Sequence, residues 1–272
     1  MEVTTFLGII FAIIFVVGAM IFKGISLSVL INPAAFMVII VGTIATVLNA
    51  YPGRDLKNLG KIFKVLFTSE KNESKIGAIN DLISCSYIAR KEGFLALDQE
   101  LDQLDNKFMQ RALRMVVDGA DGDFILSVME SEIEAIEERH SINASIFKQA
   151  GGYAPTLGVM GAVFGLIAAM AHIDNTDAMA EAIAAAFIAT ILGIFSGYVL
   201  WNPFSNKLKT KSRHEIFEKR MIIEGVLEIQ KGSGTNMVKE KLISFLTEEE
   251  ILILEKNNVI NKNNNAARNK VS

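Results

Sequence analysis

The sequence has 272 residues, of which 51% are hydrophobic, and its mean hydropathy of +0.35 is too high for an ordinary soluble enzyme. The net charge of -3 disfavours a basic nucleic-acid-binding face, and one cysteine with three histidines excludes a disulfide scaffold and ordinary zinc spacings. We therefore expect a membrane-embedded protein with no metal site and no nucleic-acid partner.

The charged side chains are confined to part of the chain. Four stretches contain no Asp, Glu, Lys or Arg: 3–22, 24–53, 149–173 and 182–206. A helix needs about 20 apolar residues to cross a hydrocarbon core of about 30 Å. The pattern predicts an all-α, polytopic membrane protein with a helical cytoplasmic domain and four transmembrane helices, at 3–22, about 33–50, about 153–172 and about 180–201.

The predicted spans differ in the size of their side chains. Span one is bulky and β-branched on all sides, as a lipid-facing helix can be. Spans three and four instead have mostly small residues at spacings of three and four: Pro155, Gly158, Ala162, Gly165, Ala169 and His172, and Ala182, Ala186, Thr190, Gly193 and Gly197. Small faces let helices approach closely, so we expect spans three and four to form an inner hairpin and spans one and two an outer one. The alternative is a four-helix bundle within one chain that uses the same small faces.

The charged segments are predicted to form amphipathic helices. One is predicted over 55–67 and another over 75–91, where Ile76, Ile79, Ile83 and Tyr87 share a face and Gly93 ends the helix. A long helix is predicted to run from 123–149 into span three, and a further one covers 213–230. Thr247 and Glu250 form a capping box for a last short helix, and the Asn-rich end is expected to be disordered.

The basic residues predict the orientation in the membrane. Lys and Arg follow spans two and four closely, whereas the connector 173–181 has three acids and no basic residue. The basic flanks are therefore expected in the cytoplasm, together with both termini. The predicted organisation is a transmembrane hairpin at 1–50, a cytoplasmic domain at 51–150, a second hairpin at 151–203 and a cytoplasmic tail at 204–272.

No catalytic constellation is present in the sequence, so we expect neither enzymatic activity nor a cofactor. The inner spans also contain no carboxylate, lysine or arginine between Pro155 and Ile173 or between Ala182 and Pro203. Proton transfer needs an ionisable group at membrane depth. If this chain conducts ions, a partner helix must supply that group.

Four segments resemble the flagellar stator subunits of the MotA family, within the wider MotA/ExbB/TolQ group: ARKEGFLALD (89–98), MVVDGADG (115–122), YAPTLGVMGAVFGLI (153–167) and AIAAAFIATILGIFSGYVLWNP (182–203). The resemblance implies a homopentameric ring in the bacterial inner membrane around two copies of a MotB-like single-span partner, which carries the proton-accepting aspartate and a peptidoglycan-binding domain. Ion flow would turn the ring against the rotor protein FliG. Membrane lipid is the remaining expected partner.

The resemblance also implies an ion path along spans three and four. It would include Pro155, Gly158, Ala189 and Thr190, with Pro203 at the foot of span four. The alternative for Thr190 is a hydroxyl that bonds the carbonyl four residues earlier in its own helix. The transported ion is expected to be a proton, because Ala189 stands where sodium-driven relatives have a second threonine; sodium is the alternative.

Rotor contact is assigned by the same resemblance to Arg90 and Asp98. The family often has glutamate at the second position. Arg90 has an alternative role as a long side chain at the edge of a buried stripe, and Asp98 as a solvated charge at a helix start.

Three other functions remain open. An ExbB/TolQ-like energiser of envelope transport is disfavoured by the span count and by the long 51–150 segment. A membrane scaffold or channel without energy coupling would need no partner. A membrane enzyme has the least support, because few polar groups lie at membrane depth.

Overall fold

The computed structural model describes residues 3–68, 72–254 and 256, and within this part of the chain every regular element is helical. Four helices are long and apolar enough to cross a membrane: Val3–Phe22, Leu27–Ala50, Gly122–Ala171 and Thr176–Gln230. The all-α, four-span fold class is therefore confirmed. The Asn-rich end, predicted to be disordered, lies outside the described residues.

The chain divides into two compact units, and the first comprises Met1–Ser69 and Glu138–Ser212. It begins with α1 (Val3–Phe22), a 3-10 turn (Leu27–Leu30), α2 (Pro33–Phe36), a π-helical segment (Met37–Val41) and α3 (Gly42–Ala50). Two short helices follow, α4 (Gly53–Leu56) and α5 (Leu59–Phe67). The predicted helix over 55–67 is thus interrupted by a turn at Lys57 and Asn58, where Asn58 leaves helical geometry with φ −98° and ψ 5°.

Span two begins where the sequence predicts it. Pro33 occupies the first turn of α2, and the Asn32 side-chain oxygen accepts a hydrogen bond of 3.1 Å from the Ala35 amide. Proline is tolerated at this position because its missing N–H would have no helical partner. Span one is exposed on almost all sides, since Met20 is the one buried residue of α1. This exposure agrees with the lipid-facing role predicted for it.

The second unit comprises Glu70–Glu137 and Arg213–Ser272. It contains α6 (Asn72–Glu92), a 3-10 turn (Phe94–Ala96), α7 (Leu97–Leu101), α8 (Lys107–Val117) and α12 (Thr235–Ile243). Two helices have residues in both units: α9 (Gly122–Ala171) and α11 (Asn202–Gln230). The predicted continuation of 123–149 into span three is therefore confirmed, and 213–230 is continuous with span four through α10 (Thr176–Phe195) and a π-helical segment (Ser196–Trp201).

The core of the second unit corrects the predicted face of α6. Ile76 and Ile79 are buried as expected, but Tyr87 is 56% exposed, and Leu82 and Cys85 are buried instead. At about 100° per residue, a residue eight positions after Ile79 lies about 80° around the helix. The buried face of α6 therefore bypasses Tyr87.

Capping follows the sequence closely. Gly93 ends α6 with φ +88°, a conformation that residues with a Cβ rarely adopt. The Thr247 amide donates to the Glu250 carboxylate at 2.8 Å, and the Glu250 amide lies 3.4 Å from the Thr247 hydroxyl, so the capping box is confirmed. These local signals depend only on residues a few positions apart.

An aromatic cluster lies in the first unit, around the end of span four. The Phe63 and Phe147 ring centroids are 5.2 Å apart, and Trp201 and Phe204 are 6.4 Å apart in an edge-on arrangement. The buried Ser205 hydroxyl donates to the Ala144 carbonyl at 2.7 Å. The cluster fixes the chain just after span four, which sets the register of that span against α9.

Candidate functional site

Spans three and four cross through their small residues. A Cβ added to Gly158 would lie 2.9 Å from the Ala189 carbonyl oxygen and 3.0 Å from the Gly193 Cα. A Cβ on Gly165 would lie 2.7 Å from the Ala186 Cβ. The two small faces therefore pack against each other within one chain.

Pro155 lies in this crossing beside Gly197 of span four. Proline has no N–H, so the Gly151 carbonyl lacks the helical donor that would normally come from position 155. A Cβ on Gly197 would come 2.7 Å from the Pro155 Cγ and 2.8 Å from that same carbonyl oxygen. The helix break and the close approach of span four thus coincide.

Thr190 lies next to the crossing and is half-buried. Its hydroxyl donates to the Ala186 carbonyl at 3.3 Å, which is the local bond considered as the alternative. A hydroxyl whose hydrogen is used in this bond can still accept a hydrogen bond from another group through its oxygen lone pairs. Ala189, its neighbour, is buried against Gly158 and Gly161.

Pro203 is separated from the other predicted ion-path residues. It is exposed, in the first turn of α11, six residues beyond Gly197. At about 1.5 Å per residue this is about 9 Å further along the helix. The structure therefore brings together Pro155, Gly158 and Ala189, with Thr190 adjacent and Pro203 apart.

Two residues at this crossing were not singled out from the sequence. A Cβ on Gly151 would lie 2.6 Å from the Asn202 Oδ1, so the Asn202 amide packs directly on Gly151. The available signals were the Gly151–Gly152 pair before an apolar span and the Asn202–Pro203 pair after one. Neither signal identifies the partner across the helix crossing.

A cavity of about 240 Å³ lies beside the crossing, between spans two, three and four. Its walls are almost entirely alanine, glycine and other apolar side chains, and Ala189 and Gly161 are among them. Asn32 is the polar residue in its lining. The lining residues therefore supply no ionisable side chain that could accept a proton.

In the second unit, Arg90 is exposed near the end of α6. A Cβ added to Gly234 would lie 2.6 Å from the Arg90 Nη1, so the guanidinium rests on this glycine, which sequence reasoning had missed. The Ser86 hydroxyl donates to the Thr235 hydroxyl at 3.2 Å and ties α6 to the start of α12. No carboxylate of the described residues forms an ion pair with Arg90.

Asp98 is exposed in the first turn of the short helix α7. Leu97 beside it is fully buried, so the carboxylate is held at the surface. Arg90 and Asp98 thus lie at the two ends of the segment 90–98. The structure leaves both side chains accessible to a partner.

Burial shifts the pKa of two titratable groups of α6, Cys85 and Asp81. Burial, followed by the charges of Asp81 and Glu100, raises the pKa of the Cys85 thiol to about 12. Burial and the nearby Asp105 also raise the pKa of Asp81. Among the described residues, no group of three His, Cys, Asp or Glu side chains could hold a metal ion.

Comparison with known proteins identifies the family. Residues 100–221 match the MotA/TolQ/ExbB proton channel family, and residues 6–92 match the motility protein A N-terminal family. Motility protein A of Bacillus subtilis is 46% identical over 90% of this chain and 91% of its own length. The chain belongs to the MotA/TolQ/ExbB proton channel family.

Other members of the family agree over similar lengths. Chemotaxis protein PomA of Vibrio alginolyticus is 30% identical over 91% of this chain and 96% of its own. In the flagellar MotAB stator complex from Bacillus subtilis, the matching chain is 45% identical, has a TM-score of 0.83, and matches over 92% of this chain and 98% of its own. The C. jejuni MotAB structure matches with a TM-score of 0.85 and 31% identity, over 91% and 97%. The predicted family resemblance is confirmed.

Proposed function

We propose that this chain is the ion-conducting stator subunit of a bacterial flagellar motor. Its similarity to motility protein A extends over 90% of its length, and a match to the motility protein A N-terminal family covers residues 6–92. That match favours the motor over an ExbB/TolQ-like energiser of envelope transport. The conducting role makes it a membrane transport subunit and not an enzyme.

The crossing of spans three and four is the observation that carries the mechanism. It places Pro155, Gly158 and Ala189 together, with the Thr190 hydroxyl beside them, and the spans supply no carboxylate, lysine or arginine. A proton moving at this depth needs an acceptor, and charged groups in membranes are costly unless they are functional. We infer that a MotB-like single-span partner places a carboxylate beside the crossing of spans three and four.

The Thr190 hydroxyl would assist at that point. Because it already donates to the Ala186 carbonyl, it is oriented to accept a hydrogen bond from a protonated carboxylic acid or from a water molecule. Desolvation in an apolar wall raises the pKa of a carboxyl group and so favours its neutral form. A proton could then cross the membrane on this carboxyl group without the several oxygen ligands that a metal cation needs.

The assembly proposed is a ring of five copies around the partner in the inner membrane, with both termini in the cytoplasm. MotAB complexes from Bacillus subtilis and C. jejuni support a multimer with a MotB partner. The charge-poor spans and the basic flanks after spans two and four support the orientation. The exposed Arg90 and Asp98 would contact the rotor protein FliG.

Two measurements test this function. Deleting the gene is expected to leave cells with flagella that do not rotate, and the plasmid-borne chain is expected to restore swimming. Native mass measurement of the complex in mild detergent is expected to find several copies together with the partner. Normal swimming of the deletion strain would exclude the motor, and a stable single chain would exclude the ring.

A further inference from the structure

Leu95 is an exposed apolar side chain in the segment between Arg90 and Asp98. Its exposed fraction is 79%, the largest of any leucine described in the second unit. It lies in the 3-10 turn Phe94–Ala96, which follows Gly93 and precedes α7. The turn lies in none of the four candidate membrane-spanning helices.

The turn holds Leu95 outward. Before it, the Gly93 amide donates to the Ala89 carbonyl at 3.0 Å, which fixes the end of α6. After it, Leu97 and Leu101 are fully buried in the core of the second unit. The buried Leu97 therefore holds the chain two residues after Leu95, while Leu95 itself is exposed.

Two exposed charges of opposite sign lie on either side of Leu95 in the chain. Arg90 is exposed on one side of it in the chain and Asp98 on the other, with opposite signs. Interfaces are typically held by a few apolar anchors that are surrounded by polar residues, while charges set orientation and association rate. A lone exposed leucine would need no explanation, but one flanked by two accessible, opposite charges is a suitable anchor.

We propose that Leu95 is the apolar anchor of the rotor contact, seated in a pocket of the rotor protein between the partners of Arg90 and Asp98. The occupant is a water-soluble protein that presents a carboxylate to Arg90, a cation to Asp98 and a small aliphatic cleft to Leu95. The inference rests on the proposed motor function. It adds burial of an apolar side chain to a contact so far described by charge alone.

The lone native cysteine makes a direct test possible. Cys85 is buried, so a thiol placed at position 95 by Leu95→Cys is the accessible thiol of this chain. The purified complex with its membrane partner is treated with a maleimide, with and without excess rotor protein. Leu252→Cys serves as the matched control, because Leu252 is also exposed, at 57%, in the second unit.

Rapid labelling of Leu95→Cys in the complex is expected, slowed at least about tenfold by the rotor protein, with no change for Leu252→Cys. Equal labelling with and without rotor protein would overturn the anchor. Failure to label in the complex alone would also overturn it, since another copy of the chain would then cover the leucine. The unsubstituted chain measures background labelling of Cys85.

A motility experiment separates this inference from the proposed function. Leu95→Ser is expected to impair swimming strongly and Leu95→Met to preserve it, while complex mass and ion leakage stay unchanged. Leu252→Ser is expected to swim normally. If the unsubstituted chain restores swimming and Leu95→Ser swims equally well, the anchor is wrong and the motor function stands. If the unsubstituted chain fails to restore swimming, the motor function itself is wrong.

Discussion

The Arg90 guanidinium is supported by backbone instead of by a counter-charge. It packs on Gly234, beside the hydrogen bond that joins Ser86 and Thr235. A charge held this way remains available to a partner, unlike the Lys75 ammonium, which is 3.0 Å from the Glu250 carboxylate in the same unit. The role of Arg90 is therefore best tested by reversing its charge.

Arg90→Glu is expected to abolish or greatly reduce torque while stator assembly and proton leakage remain intact, because the substituted side chain is exposed. Rotation of tethered cells and pH changes in cells that overproduce the complex measure the two properties separately. Recovery of rotation by a compensating charge reversal on the rotor protein would identify the contact. An unstable or missing protein would instead assign Arg90 a packing role.

Gly193 tests the close approach of spans three and four. An added Cβ would lie 2.8 Å from the Ala154 carbonyl oxygen and 2.8 Å from the Gly158 Cα, so relief requires the helix backbones to move. We expect Gly193→Ala to destabilise the complex by about 1–3 kcal/mol, as overpacking does elsewhere, and to reduce motility. Thermal denaturation in detergent measures the loss.

Gly152→Ala is the control for this substitution. A Cβ at Gly152 meets nothing within 4 Å, and alanine favours helix over glycine by about 1 kcal/mol. The control should be unchanged or slightly more stable. Equal stability of the Gly193→Ala and Gly152→Ala proteins would mean that the two spans do not approach as described.

At the scale of whole elements, spans two and four are continuous helices with local irregularities. Each contains a π-helical segment, Met37–Val41 in one and Ser196–Trp201 in the other. Segments of this kind often lie at functional sites because they redirect side chains within a helix. The segment in span four immediately precedes Asn202, which packs on Gly151.

A pH-sensitive contact attaches the helical residues 248–254 to α6. The Lys75 ammonium donates to the Phe245 carbonyl at 2.9 Å and to the Glu250 carboxylate. Burial alone would raise the pKa of Glu250, but the hydrogen bonds from the Thr247 amide and from Lys75 outweigh it, and the pKa is lowered. The contact therefore stabilises the fold above the unfolded-state pKa of about 4.3 and is lost as pH falls through the lower folded value.

We expect protection of the 248–254 amides from hydrogen exchange, corrected for intrinsic rates, to fall as the pH is lowered below about 4. Glu250→Gln keeps the shape of the side chain and removes its charge, so its protection should be lower at neutral pH and nearly independent of pH. Identical pH profiles for the two proteins would show that the Lys75–Glu250 pair does not stabilise this helix.

At the scale of the whole molecule, the identity of the transported ion depends on how many oxygen ligands spans three and four provide. Dehydrated sodium needs several oxygen ligands, whereas span four supplies two hydroxyls near the crossing, Thr190 and Ser196, and each donates to a carbonyl of its own helix. The Gly151 carbonyl, which lacks a donor from Pro155, is covered by Gly197 and so is a poor additional ligand. These features favour protons over sodium.

Swimming speed measured over a series of sodium concentrations at fixed pH is therefore expected to stay constant and to fall with a protonophore. The lithium or potassium salts at equal ionic strength serve as controls. A steep dependence on sodium that a protonophore does not affect would show that the transported ion is sodium.

The sequence by itself determined the spans, their order, the helix caps and the family. These depend on composition within about 20 residues, on neighbours three or four positions apart, or on a contiguous motif. Gly93, the Thr247–Glu250 box and the long helix through Pro155 were all predicted in this way and are present. The amphipathic pattern mispredicted one residue, Tyr87, because the buried face of α6 rotates around the helix along its length.

Only the tertiary structure decided which small face meets which. A period of 3.6 residues tells which residues share a face, but not whether that face packs on its own chain or on another copy. The pairing of Gly158 with Gly193, of Gly151 with Asn202 and of Arg90 with Gly234 joins residues far apart in the sequence. Such contacts are set by helix register and by the close packing of whole elements, which no local pattern specifies.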